Sequence, residues 1–225
     1  MADQHIEQRT RPRTERRRRA DGEQSRRRIL DAAAQIAGER GYDGTSIAAV
    51  SSRSGLPASS IYWYFANKDE LIAAVIERSF GSWLSALDVP DDHGGDTDDR
   101  VRAMAGAVAR TLLDSPDFLR LGLMLALERR PSEATARTKF LEIREIARNR
   151  VEGALRALAP SLPEESVRRL GTYVIAGADG LFIAHEIDGD TQDLVAMSEL
   201  HAHAVFAAVT RELSLTHPQQ HRSSS

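Results

Sequence analysis

The chain has 225 residues, no cysteine, 41% hydrophobic and 28% charged side chains, and a formal net charge of −3. That apolar share excludes a wholly disordered chain. The missing cysteines exclude disulfides, a thiolate nucleophile and any cysteine-ligated metal. No apolar run nears the ~20 residues of a membrane span, and the Arg-rich start lacks the apolar stretch of a secretory signal, so a cytoplasmic protein without a membrane partner is expected.

The net charge conceals a split. Residues 1–66 hold 12 basic and 8 acidic side chains, whereas residues 67–225 hold 18 and 25. A basic module on an acidic body is the natural reading. Arg outnumbers Lys 28 to 2, which by itself reports composition as much as function.

In chain order, residues 1–22 are nearly devoid of apolar side chains and carry Arg9, Arg11, Arg13 and the run Arg16–Arg19. Such a segment buries too little surface to fold alone, and a disordered arm is expected. From about Glu23 to Arg40, Ile29, Ala33, Ile36 and Ala37 recur at helical spacing. Gly41 stands where a helix ends, and Thr45 is the expected N-cap of a second helix over about 46–53. Ser54-Gly55-Leu56 forms a turn, Pro57 opens a short third helix, and Asn67 caps a fourth with Leu71, Ile72, Val75, Ile76, Phe80 and Trp83 on one face. Residues 23–66 thus form one module, 67–88 a connecting helix, and 89–97 an acidic linker. Beyond it only helical periodicity occurs, over about 98–113, 116–129, 132–158, 164–187 and 191–214, with a polar tail over 215–225. The expected fold class is all-α, without strands.

The pair of short helices around Gly55 has the layout of a helix-turn-helix, in which the second helix puts its first residues at base edges in the major groove. Any two short helices with a glycine between them meet that description. The ungapped stretch over residues 41–75 is more specific. Its Gly41, Thr45-Ser46-Ile47, Ser54-Gly55-Leu56, Ile61-Tyr62-Trp63-Tyr64-Phe65 and Asn67-Lys68-Asp69-Glu70-Leu71 closely resemble the DNA-binding domain of the TetR/AcrR family of transcriptional regulators.

That resemblance implies an N-terminal three-helix helix-turn-helix DNA-binding domain (23–66) and a C-terminal helical ligand-binding and dimerisation domain (98–214). It assigns Thr45 and Ser46 to phosphate at a helix N-terminus. Pro57, Ala58, Ser59 and Ser60 then open the recognition helix, Tyr62 and Tyr64 donate to phosphate, Trp63 touches base or sugar, and Lys68 pairs with phosphate. Many relatives carry a basic residue where this chain has Ala58, which removes one route to guanine readout. Arg26 and the Arg-rich arm offer compensating contacts.

For the body, the resemblance implies a middle-helix effector pocket. The residues expected there are Met104, Val108, Phe118, Leu121 and Met124, with Leu125, Phe140, Ile143 and Tyr173. A dimer interface is implied on the last two helices. It is expected from Tyr173, Val174, Gly177, Ala178, Leu181 and Phe182, with His185, Met197, His201, Ala204 and Val205. The glycines at 171, 177 and 180 are expected to let helices approach closely, and Asp179 is either an interface carboxylate or a ligand-facing group.

His201 and His203 stand two apart and share no helix face, so no metal is expected. No P-loop, dinucleotide fingerprint, HExxH or G-x-S-x-G occurs, so neither an enzyme nor a cofactor is expected. The expected function is a ligand-responsive repressor that binds a palindromic double-stranded DNA operator as a homodimer and is released by a small hydrophobic or aromatic effector.

Overall fold

A computed structural model of the chain describes residues 13–87, 97–114, 116–127 and 134–216. The expected linker over 89–97 falls almost wholly outside these, as do arm residues 1–12 and tail residues 217–225. The described residues form helices joined by turns, with no strand among them, in agreement with the all-α expectation. Among the described residues nine helices follow one another: α1 (Arg13–Gly44), α2 (Ile47–Ser54), α3 (Ala58–Tyr64), α4 (Lys68–Leu87), α5 (Thr97–Asp114), α6 (Asp117–Leu127), α7 (Ala134–Leu158), α8 (Glu164–Asp188) and α9 (Leu194–Thr216). A single 3-10 turn, Gly189–Thr191, precedes α9. No described helix is long and apolar enough to cross a membrane.

The chain divides into two compact units, Met1–Ala74 and Val75–Ser225. The first has a small closed core. Ile29, Leu30, Ala33, Ile36 and Ala37 of α1 are buried with Val50 of α2, Ile61 of α3, Phe65, and Leu71 and Ile72 of α4. Gly41 breaks the helical run of α1 at φ 68°, ψ −173°, a conformation that disfavours any side chain. α1 begins at Arg13, ten residues before the expected start. The stretch is rich in Arg and Glu, which are strong helix formers, and once α1 is anchored by its buried face each added residue extends an existing helix.

In the second unit, α5 packs on α9, α9 on α8, α8 on α7 and α7 on α6. Leu121, Leu125 and Phe140 are buried, and the Phe140 ring lies directly on the Gly122 backbone. A Cβ at Gly122 would stand 2.0 Å from that ring, so only glycine fits. A second cluster gathers Leu155, Ala159, Leu162, Val167, Leu170 and Val209. Of the three glycines singled out in α8, two make room for side chains: Gly171 for Glu152 of α7, and Gly177 for the His201 ring of α9. Gly180 faces open space.

Candidate DNA interface and ligand cavity

The turn between α2 and α3 is built from local hydrogen bonds. Ser46, not Thr45, is the N-cap of α2: its backbone is extended and its Oγ accepts from the Ala49 amide at 3.1 Å. Thr45 is 1% exposed, and its hydroxyl donates to the Gly41 carbonyl at 2.8 Å. Its amide donates to the Tyr42 carbonyl. The hydroxyl and amide of Thr45 are therefore both spent inside the module, whereas Ser46 Oγ only accepts and keeps its own proton to donate. At the other end of α2, Gly55 is left-handed (φ 67°, ψ 21°) and its amide donates to Ser51 O. Arg28 of α1 donates to the Ser54 carbonyl at 2.6 Å, closing the C-terminus of α2. Ser51 Oγ donates to Leu56 O. The recognition helix thus leaves the turn on a fixed path.

α3 begins at Ala58, with Pro57 as its extended N-cap, one residue later than expected. Ile61 anchors it inward. Its outward side carries Ser59, Tyr62 at 56% exposure and Trp63 at 78%, with Ala58 and Ser60 half-buried. The Trp63 indole stands edge-on to the Tyr64 ring, with centroids 4.6 Å apart. Tyr64 turns the other way. Its hydroxyl donates to the Gly22 carbonyl of α1 at 2.8 Å, so it cannot be the phosphate donor expected of it.

Lys68 has one role inside the module and one to spare. Its Nζ donates to the Tyr42 carbonyl at 3.2 Å and lies 4.0 Å from the Tyr42 ring centroid, yet an ammonium carries three donors. Asn67 caps α4 by accepting from the Glu70 amide, and Glu70 in turn accepts from Ala66. Arg26 is exposed, with its guanidinium 5.6 Å from the Phe65 ring centroid. Arg53 forms a two-pronged pair with Glu39, which lowers the Glu39 carboxyl's pKa and raises that of the guanidinium.

The second unit holds a cavity of about 700 Å³. Phe80 and Trp83 of α4, stacked at 5.4 Å, form an aromatic wall. Met104 and Val108 of α5 and Ile143 of α7 line it. Leu121, Leu125 and Phe140 do not line it, because the fit of Phe140 onto Gly122 turns them into the core. Met124 is half-buried away from the cavity, and Tyr173 is 48% exposed with its ring against His201. The Phe118 side chain lies outside the described residues.

Polar groups in the lining are few. Arg144 donates to both oxygens of Asp179, at 2.9 and 2.6 Å, and lies 5.6 Å from the Phe140 ring centroid. Asp179 is therefore a paired cavity residue. Only two of the five guanidinium N–H groups are used in that pair. His201 places Nε2 3.1 Å from the Val174 carbonyl, and Ser198 lies one turn before it on α9. An apolar chamber with one oriented cation–carboxylate pair suits a ligand with an apolar body and a polar end.

Five side chains expected at a dimer interface, Val174, Ala178, Leu181, His201 and Val205, line this cavity instead, and Phe182 is buried. His185 is half-buried, with Nδ1 3.1 Å from the Gln192 carbonyl. The helices have rotated those residues inward because the α8–α9 contact passes through Gly177 and His201. The outward face of α8 is a different stripe: Tyr173, Ala176, Gly180, Ile183 and Ile187, the last 76% exposed. On α9 the exposed stripe is Ala196, Leu200, His203, Ala204 and Ala207. Of the residues expected to pair subunits, only Tyr173 and Ala204 lie outward; Gly177 and Met197 are half-buried. Spacings of three and four were legible in the sequence for both stripes, but the more apolar inward stripe masked them.

Comparison with known proteins places these features. Residues 29–75 match the model for bacterial regulatory proteins of the tetR family. A helix-turn-helix-type transcriptional repressor of Mycobacterium tuberculosis is 29% identical over 140 residues, 62% of this chain and 52% of the relative. The chain thus spans about half the length of the first curated relatives it matches. The fatty acid metabolism regulator protein of Bacillus subtilis is 23% identical over 173 residues, 76% of this chain and 88% of the relative. Among solved structures, the transcriptional regulator FadR of B. subtilis in complex with stearoyl-CoA superposes with a TM-score of 0.67 at 19% identity, over 80% of this chain and 97% of that one. Residues 29–75 thus carry the DNA-binding domain of the tetR family of bacterial regulatory proteins, and the chain shares its all-α fold with solved regulators such as FadR.

Proposed function

We propose that the chain is a ligand-responsive transcriptional repressor that binds a palindromic operator as a homodimer in the cytoplasm. The observation that carries this reading is the pairing of a recognition helix that keeps Tyr62 and Trp63 exposed with a chamber, in the other unit, large enough for a small molecule. Ser46, Pro57, Ala58, Ser59, Ser60, Tyr62, Trp63, Lys68 and Arg26 form the DNA face. Ser59 and Ala58 read bases, and Tyr62 and Lys68 hold phosphates. The dimer forms through the outward stripes of α8 and α9, whose apolar side chains otherwise stay in water.

The effector is an apolar molecule with one polar end. Its body lies against Phe80, Trp83, Met104 and Val108, and its polar end meets the free N–H groups of Arg144. The complex of the B. subtilis relative with stearoyl-CoA supports a fatty acyl group as the first class to test. α4 couples the sites: Leu71 and Ile72 belong to the core of the first unit, and Phe80 and Trp83 to the cavity wall. A ligand that binds better to one setting of α4 shifts the population toward it. The typical coupling of ~1–3 kcal/mol changes operator affinity roughly 5–150-fold.

The two tryptophans permit a direct test, since one stands on each site. A duplex is first selected from a random pool by the unaltered protein. In Trp63→Phe, the remaining Trp83 emission responds to long-chain acyl-CoA; in Trp83→Phe, Trp63 emission responds to the duplex. Failure of the protein to select any palindrome would refute the repressor reading. Selection without release by acyl-CoA or free fatty acids would refute the effector class alone.

A further inference from the structure

Between residues 17 and 28, α1 carries six arginines against Asp21 and Glu23. Arg28 is committed to the Ser54 carbonyl. Arg17, Arg18, Arg19, Arg26 and Arg27 are exposed, and among the described residues none of them has a carboxylate partner. The match to the family begins only at residue 29. The stretch of α1 from Arg13 to Arg28 therefore precedes the matched residues.

Its placement is held by two contacts. Gly22 accepts the Tyr64 hydroxyl, and Arg26 lies on the Phe65 ring. Arg18, Arg19, Gly22 and Arg26 stand at helical spacings of three, four and seven, so they form one stripe. The stripe that meets the C-terminal end of α3 continues directly into Arg18 and Arg19, ~6 Å further along the axis. A clasp of this kind holds positive charge beside the recognition helix without leaving it to a tail that must be ordered on binding.

We propose that this basic extension of α1 is a second DNA contact, in which Arg18 and Arg19 of this stripe, with the neighbouring exposed Arg17, engage phosphates flanking the half-site read by α3, and Tyr64 is the clasp that positions the stripe. The proposal rests on the DNA-binding reading above. The contact is sequence-independent, because guanidinium groups on phosphates carry no base information. It also offsets the missing basic residue at Ala58, supplying affinity where α3 supplies little charge.

The test uses the full chain and a labelled duplex selected from a random pool by the unaltered protein. Anisotropy is read from 50 to 300 mM salt. Replacing Arg17, Arg18 and Arg19 together by alanine keeps a strong helix former at each position. It is expected to flatten the slope of log affinity against log salt by about 0.9 per lost phosphate contact. The sequence selected should stay the same. Three lysines in their place restore the slope, and Tyr64→Phe gives an intermediate loss. An unchanged slope in the alanine variant overturns the proposal, and an altered selected sequence overturns the phosphate assignment. A Tyr64→Phe slope equal to that of the unaltered protein overturns the clasp. If the unaltered protein selects no duplex at all, the DNA-binding reading itself falls.

Discussion

Two adjacent hydroxyls at the start of α2 have opposite duties. Ser46 Oγ satisfies an amide of the first turn that has no helical partner, whereas the Thr45 hydroxyl satisfies a carbonyl left free at Gly41. Ser46→Ala should cost about 1 kcal/mol of stability in a denaturant titration, the usual worth of an N-cap. Thr45→Val keeps the shape but leaves the Gly41 carbonyl unpaired in a buried place, at a cost of ~1–3 kcal/mol. Its DNA affinity per folded molecule should be unchanged. The same contrast holds for the tyrosines of α3. Tyr62→Phe, in the exposed position, should weaken binding roughly 10–150-fold to every duplex alike, since one charge-assisted hydrogen bond is worth about 1.5–3 kcal/mol. If Tyr62→Phe altered base preference, its assignment to phosphate would be wrong.

At the scale of elements, α8 and α9 are joined near their distal ends by Ser166, Arg169 and Glu212. Ser166 Oγ donates to the Glu212 carboxylate at 2.7 Å, and Arg169 donates to the same oxygen at 2.5 Å. The Ser166 hydroxyl first, then the nearby Arg169 charge, hold the Glu212 carboxyl below its ordinary value of 4.5. A carboxyl with a depressed folded-state pKa adds stability above its unfolded value, and loses it as pH falls through the folded one. Melting temperature should therefore drop between about pH 5 and 3, and less steeply in Glu212→Gln, which is also the less stable variant at pH 7. Asp117, at the start of α6, acts in the opposite sense: burial raises its carboxyl. Its contribution is present below its unfolded value and is lost as pH rises through the folded one. Gly122→Ala forces a methyl into the Phe140 ring and should destabilise the second unit by about 1–3 kcal/mol.

At the scale of the whole molecule, the outward stripes on α8 and α9 set the expected assembly. Ile183, Ile187 and Leu200 are large apolar side chains left in water by the single chain. Glutamate at both Ile183 and Leu200 touches no core contact, so the fold should survive with an unchanged circular dichroism spectrum. Sedimentation should then give a monomer where the unaltered chain gives a dimer, and affinity for a palindromic duplex should fall steeply because one module reads too few base pairs. A dimer that persisted in this double variant would move the interface elsewhere.

What the sequence determined by itself is local in origin. Helix starts and stops follow from Gly41, Gly55, Pro57 and Asn67, which act through their own backbone dihedrals and nearest amides. The all-α class follows from sustained 3.6-residue periodicity, and the module's place in a family from an ungapped run of residues. What only the tertiary structure decided are pairings between residues distant in the chain. Tyr64 with Gly22, Arg28 with Ser54, and Arg144 with Asp179 are separated by 42, 26 and 35 residues, and no spacing rule announces them. The same holds for which stripe of α8 faces the cavity and which faces outward. Both stripes have helical spacing, and the choice depends on how far each helix is rotated, which the close fits of Phe140 on Gly122 and His201 on Gly177 fix through steric exclusion.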